Sequence, residues 1–131
     1  MRENAGVIIR FEETVLLGKR SLNGCKYEGY WSIPCGFVEK GESTFGAAER
    51  ELLEETGIKI DRPLEHACTF RMSDEEKFHI YLHVASEMLL PSLDAEDYWE
   101  HSEWGYFRSE PNCLPDPISK EIKKAILLTN K

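Results

Sequence analysis

The sequence has no stretch of about 20 consecutive apolar residues, the length a membrane-spanning helix requires. Its early apolar runs, AGVIIRF and TVLLGKR, are short and broken by charge, which also leaves no apolar core for a secretory leader. Cysteine is sparse: Cys25, Cys35, Cys68 and Cys113 form no C-x-x-C pair, and only four histidines accompany them, so the cysteine–histidine zinc templates are not filled. A chain of 131 residues can bury a core without covalent staples, so the four thiols are expected to be free, in a reducing compartment. Basic residues are in the minority, 16 Lys and Arg against 24 Asp and Glu for a net charge of −8. That balance argues against a broad nucleic-acid-binding face but admits a small anionic substrate if a cation mediates the contact. Internal repeats, low-complexity tracts and linkers are absent as well. The reading is one cytosolic domain over residues 1–131, with no membrane and no nucleic-acid partner.

What is present begins with a hairpin: AGVIIRF and TVLLGKR are strand-like runs separated by Glu12 and Glu13. SLNGCKYEGY reads as a loop, and Pro34 forces Ile33 into extended geometry and interrupts any regular strand through WSIPCGF. Ser43 or Thr44 caps a helix that runs to about Thr56, with Gly57 as its left-handed stop. Phe45, Ala48 and Leu52 give that helix a core face. LEHACTFRM and KFHIYLHVASEM are two further strands joined by SDEE. In the second, Phe78, Ile80, Leu82 and Val84 are expected to face one way, and His79, Tyr81 and His83 to form an exposed or substrate-facing row. PSLDAEDYWEHSE reads as an acidic loop, WGYF as a last strand, and Asp116–Pro117 as the start of a C-terminal helix. Strands interleaved with two helices predict an α/β fold with a mixed sheet covered on both faces.

The chemistry is concentrated in GFVEKGESTFGAAERELLEETGI, residues 36–58. At about 100° per residue, Glu51, Glu54 and Glu55 lie within one arc of the helix. Arg50, one turn before Glu54, can pair with it. Carboxylates that converge repel unless a proton or a divalent cation sits among them, and Mg²⁺ or Mn²⁺ prefers such all-oxygen sites. A solvated acidic helix face is the plainer reading of the same residues.

The spacing decides between them. Gly36, five residues, Glu42, seven residues, then Arg50-Glu51-Leu52-x-Glu54-Glu55-x-Gly57-Ile58 resembles the signature of the Nudix hydrolase superfamily, of the MutT and ADP-ribose pyrophosphatase kind. All nine fixed positions are filled. The resemblance implies the Nudix fold, an α/β/α sandwich with a mixed β-sheet, in which residues 36–58 form a loop–helix–loop that holds Mg²⁺ or Mn²⁺. It carries the metal-ligand role onto Glu51, Glu54 and Glu55, the orienting role onto Arg50, loop support onto Glu42, and backbone bends onto Gly36 and Gly57. It also carries a metal-facing main-chain carbonyl onto Cys35, where relatives often have glycine. The Cys35 thiol beside such a site is a liability to oxidation and heavy metals.

The implied activity is metal-dependent hydrolysis of a pyrophosphate bond in a nucleoside diphosphate linked to another group, either a (d)NTP or a nucleotide sugar such as ADP-ribose. The acidic loop offers a further carboxylate, Glu100 first and Glu103 second, among Asp94, Glu96 and Asp97. Lys19 and Arg20 are candidates to meet phosphates, and Trp31 and Tyr81 to stack on a base. Subfamily tags downstream of the signature are missing, so the small nucleotide substrate is left as a class. A nucleotide-sensing domain without turnover is the alternative, and a homodimer is the candidate assembly.

Overall fold

Strand β1 (Arg2–Phe11) is the axis of the molecule, whose computed structural model describes residues 1–21, 27–109, 111–112 and 117–127. The other strands are β2 (Thr14–Arg20), β3 (Trp31–Ser32), β4 (Cys35–Phe37), β5 (Glu65–Ser73), β6 (Glu76–Ala85) and β7 (His101–Phe107). The helices are α1 (Thr44–Thr56) and α2 (Ile118–Leu127). β1 runs parallel to β6 from Arg2 opposite Glu76 to Phe11 opposite Ala85. Its other edge is divided: Asn4, Ala5 and Gly6 pair antiparallel with β4, and Arg10 and Phe11 pair with β2 across the hairpin. β2 also pairs with β3 and β7, and β5 with β6, giving a mixed seven-stranded sheet. Pro34 separates β3 from β4 as its missing N–H requires, and its carbonyl accepts from Val7 N at 3.0 Å.

Both faces of the sheet are covered. Ala5, Val7 and Ile9 of β1 pack with Ala47, Ala48 and Leu52 of α1. Ile8, pointing the other way, joins Ile118, Ile122 and Ala125 of α2. Each fully buried Ile or Leu contributes about 1.5–3 kcal/mol. The α/β/α sandwich is therefore observed as expected. Among the described helices none is long and apolar enough to cross a membrane.

The burial of β6 corrects one expectation. Tyr81 and His83 are buried on the α1 face, while Phe78 and Ile80 are buried on the α2 face and Val84 is exposed. A strand packed on both sides does not sort polar from apolar by alternation. His79 Nε2 lies 2.9 Å from Glu3 Oε1 and its Nδ1 lies 2.9 Å from Thr69 Oγ1, so it is engaged at the sheet surface. The β5–β6 connection is also tighter than SDEE suggests, because Ser73 and Glu76 belong to the strands. Cys35 and Cys68 are free thiols. Cys25, Cys113 and the Asp116 helix cap fall outside the described residues.

Local signals set the ends of α1. Ser43 is extended (φ −77°, ψ 158°) and its side chain accepts from Gly46 N; Gly57 takes φ 75° and its N–H bonds to Leu53 O. The last carbonyls of a helix are left without partners inside it. Here Glu54 O accepts from Asp97 N and Thr56 O from Ser92 N, both at 2.7 Å. The acidic loop is thereby fastened along the C-terminal end of α1.

Candidate active site

The site is organised by Arg50. Its Nε donates to Glu42 Oε2 at 2.7 Å and its Nη2 to Glu42 Oε1 at 3.1 Å and Phe37 O at 2.9 Å. Its Nη1 donates to both Glu51 Oε1 and Glu54 Oε1 at 2.9 Å. One planar guanidinium thus joins the loop after β4 to two carboxylates of the helix, a use of its fixed fork that a lysine could not reproduce. The clamp, together with a bond from Glu39 N, holds the Glu42 carboxyl below its ordinary range. Arg50, expected to orient Glu54, reaches Glu51 as well.

Glu55 is left outside the clamp. It is only 1 % exposed, and neither carboxylate oxygen has a hydrogen-bond partner. Burial first, then the neighbouring Cys35 thiol, Glu51 and Glu100, pushes its proton affinity well above that of an ordinary carboxylate. His101 Nε2 lies 3.7 Å from Glu55 Oε1, too far for a hydrogen bond. Burial and the nearby Arg20 push the His101 imidazole down to about 4, so at neutral pH it brings no positive charge to Glu55. A buried carboxylate with no partner is expensive. As the side chains stand, no three His, Cys, Asp or Glu among the described residues close around one point; Glu51 and Glu54 are committed to Arg50.

Gly36 has a role other than the expected bend. Its φ lies outside the left-handed region, but a Cβ there would fall 2.5 Å from Glu51 Oε2 and closer still to Cδ and Oε1. The missing side chain is the space into which the Glu51 carboxylate folds. Beside it, burial pushes the Cys35 thiol up, which disfavours the thiolate and weakens the expected liability to oxidation.

The loop supplies Asp97 and Glu100. Fastened to α1 through the amide of Asp97, it brings both side chains to the cleft that Glu51 lines. Burial, then Asp97 and Glu51, pushes the Glu100 carboxyl up to about 7, with Arg20 opposing. Of the two loop candidates, Glu100 is at the site, and Glu103 is exposed on β7 opposite Lys19. Asp97 gains its place from the loop's path, which no local sequence signal reveals.

The cleft has a volume of about 560 Å³. One pole holds Glu51, Asp97, Glu100 and Arg20; an apolar belt includes Tyr27, Phe37 and Ile118; the other pole holds Arg2, Asn4 and Glu76. Of the four residues expected to contact substrate, Arg20 lines the cleft. Lys19, its neighbour on β2, does not line the cleft. Trp31 packs edge-on against Phe107, with ring centroids 4.8 Å apart. Tyr81 is buried beneath α1, its hydroxyl 2.7 Å from Thr44 Oγ1. Both aromatics belong to the packing on either side of the sheet, Trp31 on the edge strand β3 and Tyr81 on the inner strand β6.

With this geometry in place, the NUDIX domain family model matches residues 1–127. The chain belongs to the Nudix hydrolase family. The uncharacterized Nudix hydrolase YvcI of Bacillus subtilis is 37% identical over 71 residues, 53% of this chain and 41% of the relative; the matched region is thus under half of that protein. The RNA pyrophosphohydrolase of Caulobacter vibrioides is 29% identical over an alignment of 147 residues, spanning 96% of this Nudix chain and 83% of the relative. The crystal structure of a MutT NUDIX hydrolase from Burkholderia pseudomallei superposes with a TM-score of 0.67 at 26% identity, covering 95% of each chain. The Nudix signature of residues 36–58 corresponds in the fold to β4, the Arg50-clamped loop, α1 and its glycine stop.

Proposed function

We propose that this Nudix protein hydrolyses the pyrophosphate bond of a nucleoside diphosphate linked to a further group, a (d)NTP or a nucleotide sugar such as ADP-ribose. It does so with Mg²⁺ or Mn²⁺ and releases a nucleoside monophosphate. The observation that carries the reading is Glu55, a buried carboxylate with both oxygens unpartnered beside Glu51 and within the field of Glu100. A divalent cation is the partner that such a carboxylate lacks. Nudix hydrolases generally use divalent metals, and the donors available here suit Mg²⁺ and Mn²⁺: the carboxylates of Glu51, Glu54, Glu55 and Glu100 and the Cys35 main-chain carbonyl are all oxygens.

When bound, the cation supplies neutralisation of the pyrophosphate charge and acidification of a water. The chain's own residues do the rest. Arg50 keeps Glu51 and Glu54 in fixed directions through its five bonds. Arg20, whose Nε is buried without a partner, meets the phosphate oxygens. Glu100, whose carboxyl burial pushes up to about 7 in the metal-free protein, accepts the proton of the attacking water when it is not itself held by the cation. The water oxygen forms a new bond to phosphorus as the bridging P–O bond breaks, and the departing phosphate carries away the electron pair. Positioning and electrostatics dominate such a step.

The test is hydrolysis of a nucleotide panel in Mg²⁺, Mn²⁺ and EDTA, with products separated by chromatography. Metal-dependent release of a nucleoside monophosphate is the expected result. Nucleotide binding with no turnover across the panel would overturn the reading in favour of a nucleotide-sensing domain. A second reading, pyrophosphate removal from RNA 5′ ends, is favoured by the Caulobacter relative. The net charge of −8 opposes contact with more than the first nucleotides, and a 5′-triphosphorylated oligonucleotide in the same panel separates the two.

A further inference from the structure

The far pole of the cleft is chemically unlike the catalytic pole. Asn4 is buried, and its Nδ2 donates to Glu76 Oε2 at 3.1 Å and to Lys77 O at 3.2 Å. Both amide protons are thereby used, and the Oδ1 is spent on neither bond. The bond from Asn4 engages Oε2 of Glu76 and leaves its Oε1 available. Arg2 sits opposite Glu76 in the β1–β6 register, yet its guanidinium lies over the Phe37 ring, 4.9 Å from the centroid. Among the described residues no cation pairs with Glu76. The pole therefore offers two acceptors, Glu76 Oε1 and Asn4 Oδ1, with the Arg2 guanidinium lining the same cleft over the Phe37 ring. It is flanked by flat or apolar surface, with Phe78 buried, Met72 half-buried and the Phe37 ring 54% exposed.

We propose that this pole is a nucleobase subsite selective for guanine, with Glu76 as the specificity-determining residue and Asn4 as the group that holds it. A carboxylate presents parallel acceptors. Guanine is the base whose Watson–Crick edge presents two adjacent donors, N1–H and the N2 amino group. Adenine and cytosine present one amino donor beside a ring-nitrogen acceptor, and uracil and thymine present one N–H between two carbonyls. Each of these sets an acceptor against the carboxylate. A site built to hydrogen-bond a donor rejects the analogue lacking it, because its polar groups are then left unpaired. Stacking against the apolar flanks adds affinity for any base; the carboxylate sets the choice among them.

The subsite rests on the reading of the cleft as a nucleotide site, so binding and turnover are measured separately. Calorimetric titration of GMP, AMP, CMP and UMP in Mg²⁺ is carried out on the wild type, Glu76→Gln and Glu76→Ala, with thermal melts to establish that each variant folds. GMP is expected to bind the wild type at least about 10-fold tighter than AMP or UMP. Glu76→Gln should weaken GMP by about 5- to 150-fold, the range of a bidentate base contact, and change AMP by less than about 3-fold. GMP binding no tighter than AMP, or a preference unchanged in both variants, overturns the proposal. Equal kcat/KM for ADP-linked and GDP-linked substrates overturns it too, with the hydrolase reading intact. Guanine-selective binding that is lost in Glu76→Gln, with no substrate turned over, sustains the subsite and sinks the hydrolase.

Discussion

Replacing Gly36 by alanine tests the site geometry most directly. The added methyl would lie 2.5 Å from Glu51 Oε2, against an ordinary non-bonded separation of about 3.5 Å. The carboxylate must therefore move by about 1 Å or more. It can do so, because it is the end of a flexible side chain, but it then leaves its 2.9 Å bond to Arg50. A charge-assisted bond of that kind is worth about 1.5–3 kcal/mol, and glycine-to-alanine replacement at an unstrained position returns about 0.4–1 kcal/mol. The expected net loss of stability is about 1–2 kcal/mol, a fall in Tm of roughly 3–8 °C. A 1 Å misplacement at a reacting centre costs about 100-fold in rate. Gly36→Ala is expected to melt cooperatively, a few degrees low, and to lose about two orders of magnitude in kcat/KM. Steady-state kinetics with a hydrolysed nucleotide and a thermal melt read both quantities. A variant with wild-type kcat/KM would refute the argument that the Glu51 position matters to the chemistry.

Glu55→Gln should raise the Tm in EDTA at pH 8, because it removes the charge of a buried carboxylate and supplies an amide donor beside Glu51, and should abolish the rise in Tm on adding Mg²⁺; a lower Tm than wild type in EDTA would refute this. Two titrations oppose each other in the metal-free protein. Glu100, raised from 4.5 to about 7, contributes stability that is present below pH 4.5 and lost as pH rises through 7. His101, lowered from 6.5 to about 4, contributes stability that is present above pH 6.5 and lost as pH falls through 4. Either alone spans at most about 3 kcal/mol at 1.36 kcal/mol per pH unit, and less for the partly exposed Glu100. Denaturant titrations across this range should accordingly show Glu100→Gln flattening the alkaline side, and a wild-type slope in that variant would refute the assignment. At the first hairpin, Glu12 holds φ 52°, a conformation that asparagine tolerates better; Glu12→Asn should gain about 0.5–1 kcal/mol, measured by urea unfolding.

The parts of this fold legible in the sequence are those whose causes are local. The α1 boundaries follow from Ser43 and Gly57, each acting on amides within four residues, and Pro34 breaks a strand by lacking a donor. The Arg50–Glu54 arm of the clamp was legible because a helix repeats every 3.6 residues and so sets Glu54 one turn from Arg50; the arm to the adjacent Glu51 was not. Contacts created by tertiary packing were not legible. Tyr81 and Trp31 sit in a sheet buried on both faces, where alternation does not say which side meets substrate. Asp97 reaches the cleft because a loop amide bonds to a helix carbonyl 43 residues earlier in the chain, and Asn4 and Glu76 become neighbours because β1 and β6 run parallel. The reason for Gly36 is similar: the atoms it makes room for belong to a residue one helix away.

The two bonds from Ser92 and Asp97 to the carbonyls of Thr56 and Glu54 divide the acidic loop into segments that differ in their freedom to vary. Between Leu89, whose carbonyl accepts from the Tyr106 hydroxyl, and Ser92, extra residues lengthen only the connection, and Leu90, 71% exposed, already points to solvent there. Between Asp97 and His101 the chain has a fixed span to cover, from a latched amide to the first residue of β7, so one inserted residue would carry Glu100 off its station. The two residues before Ser92, Leu90 and Pro91, are therefore a permissive site for insertion, where a tag can be grafted while the spacing that delivers the carboxylate is preserved.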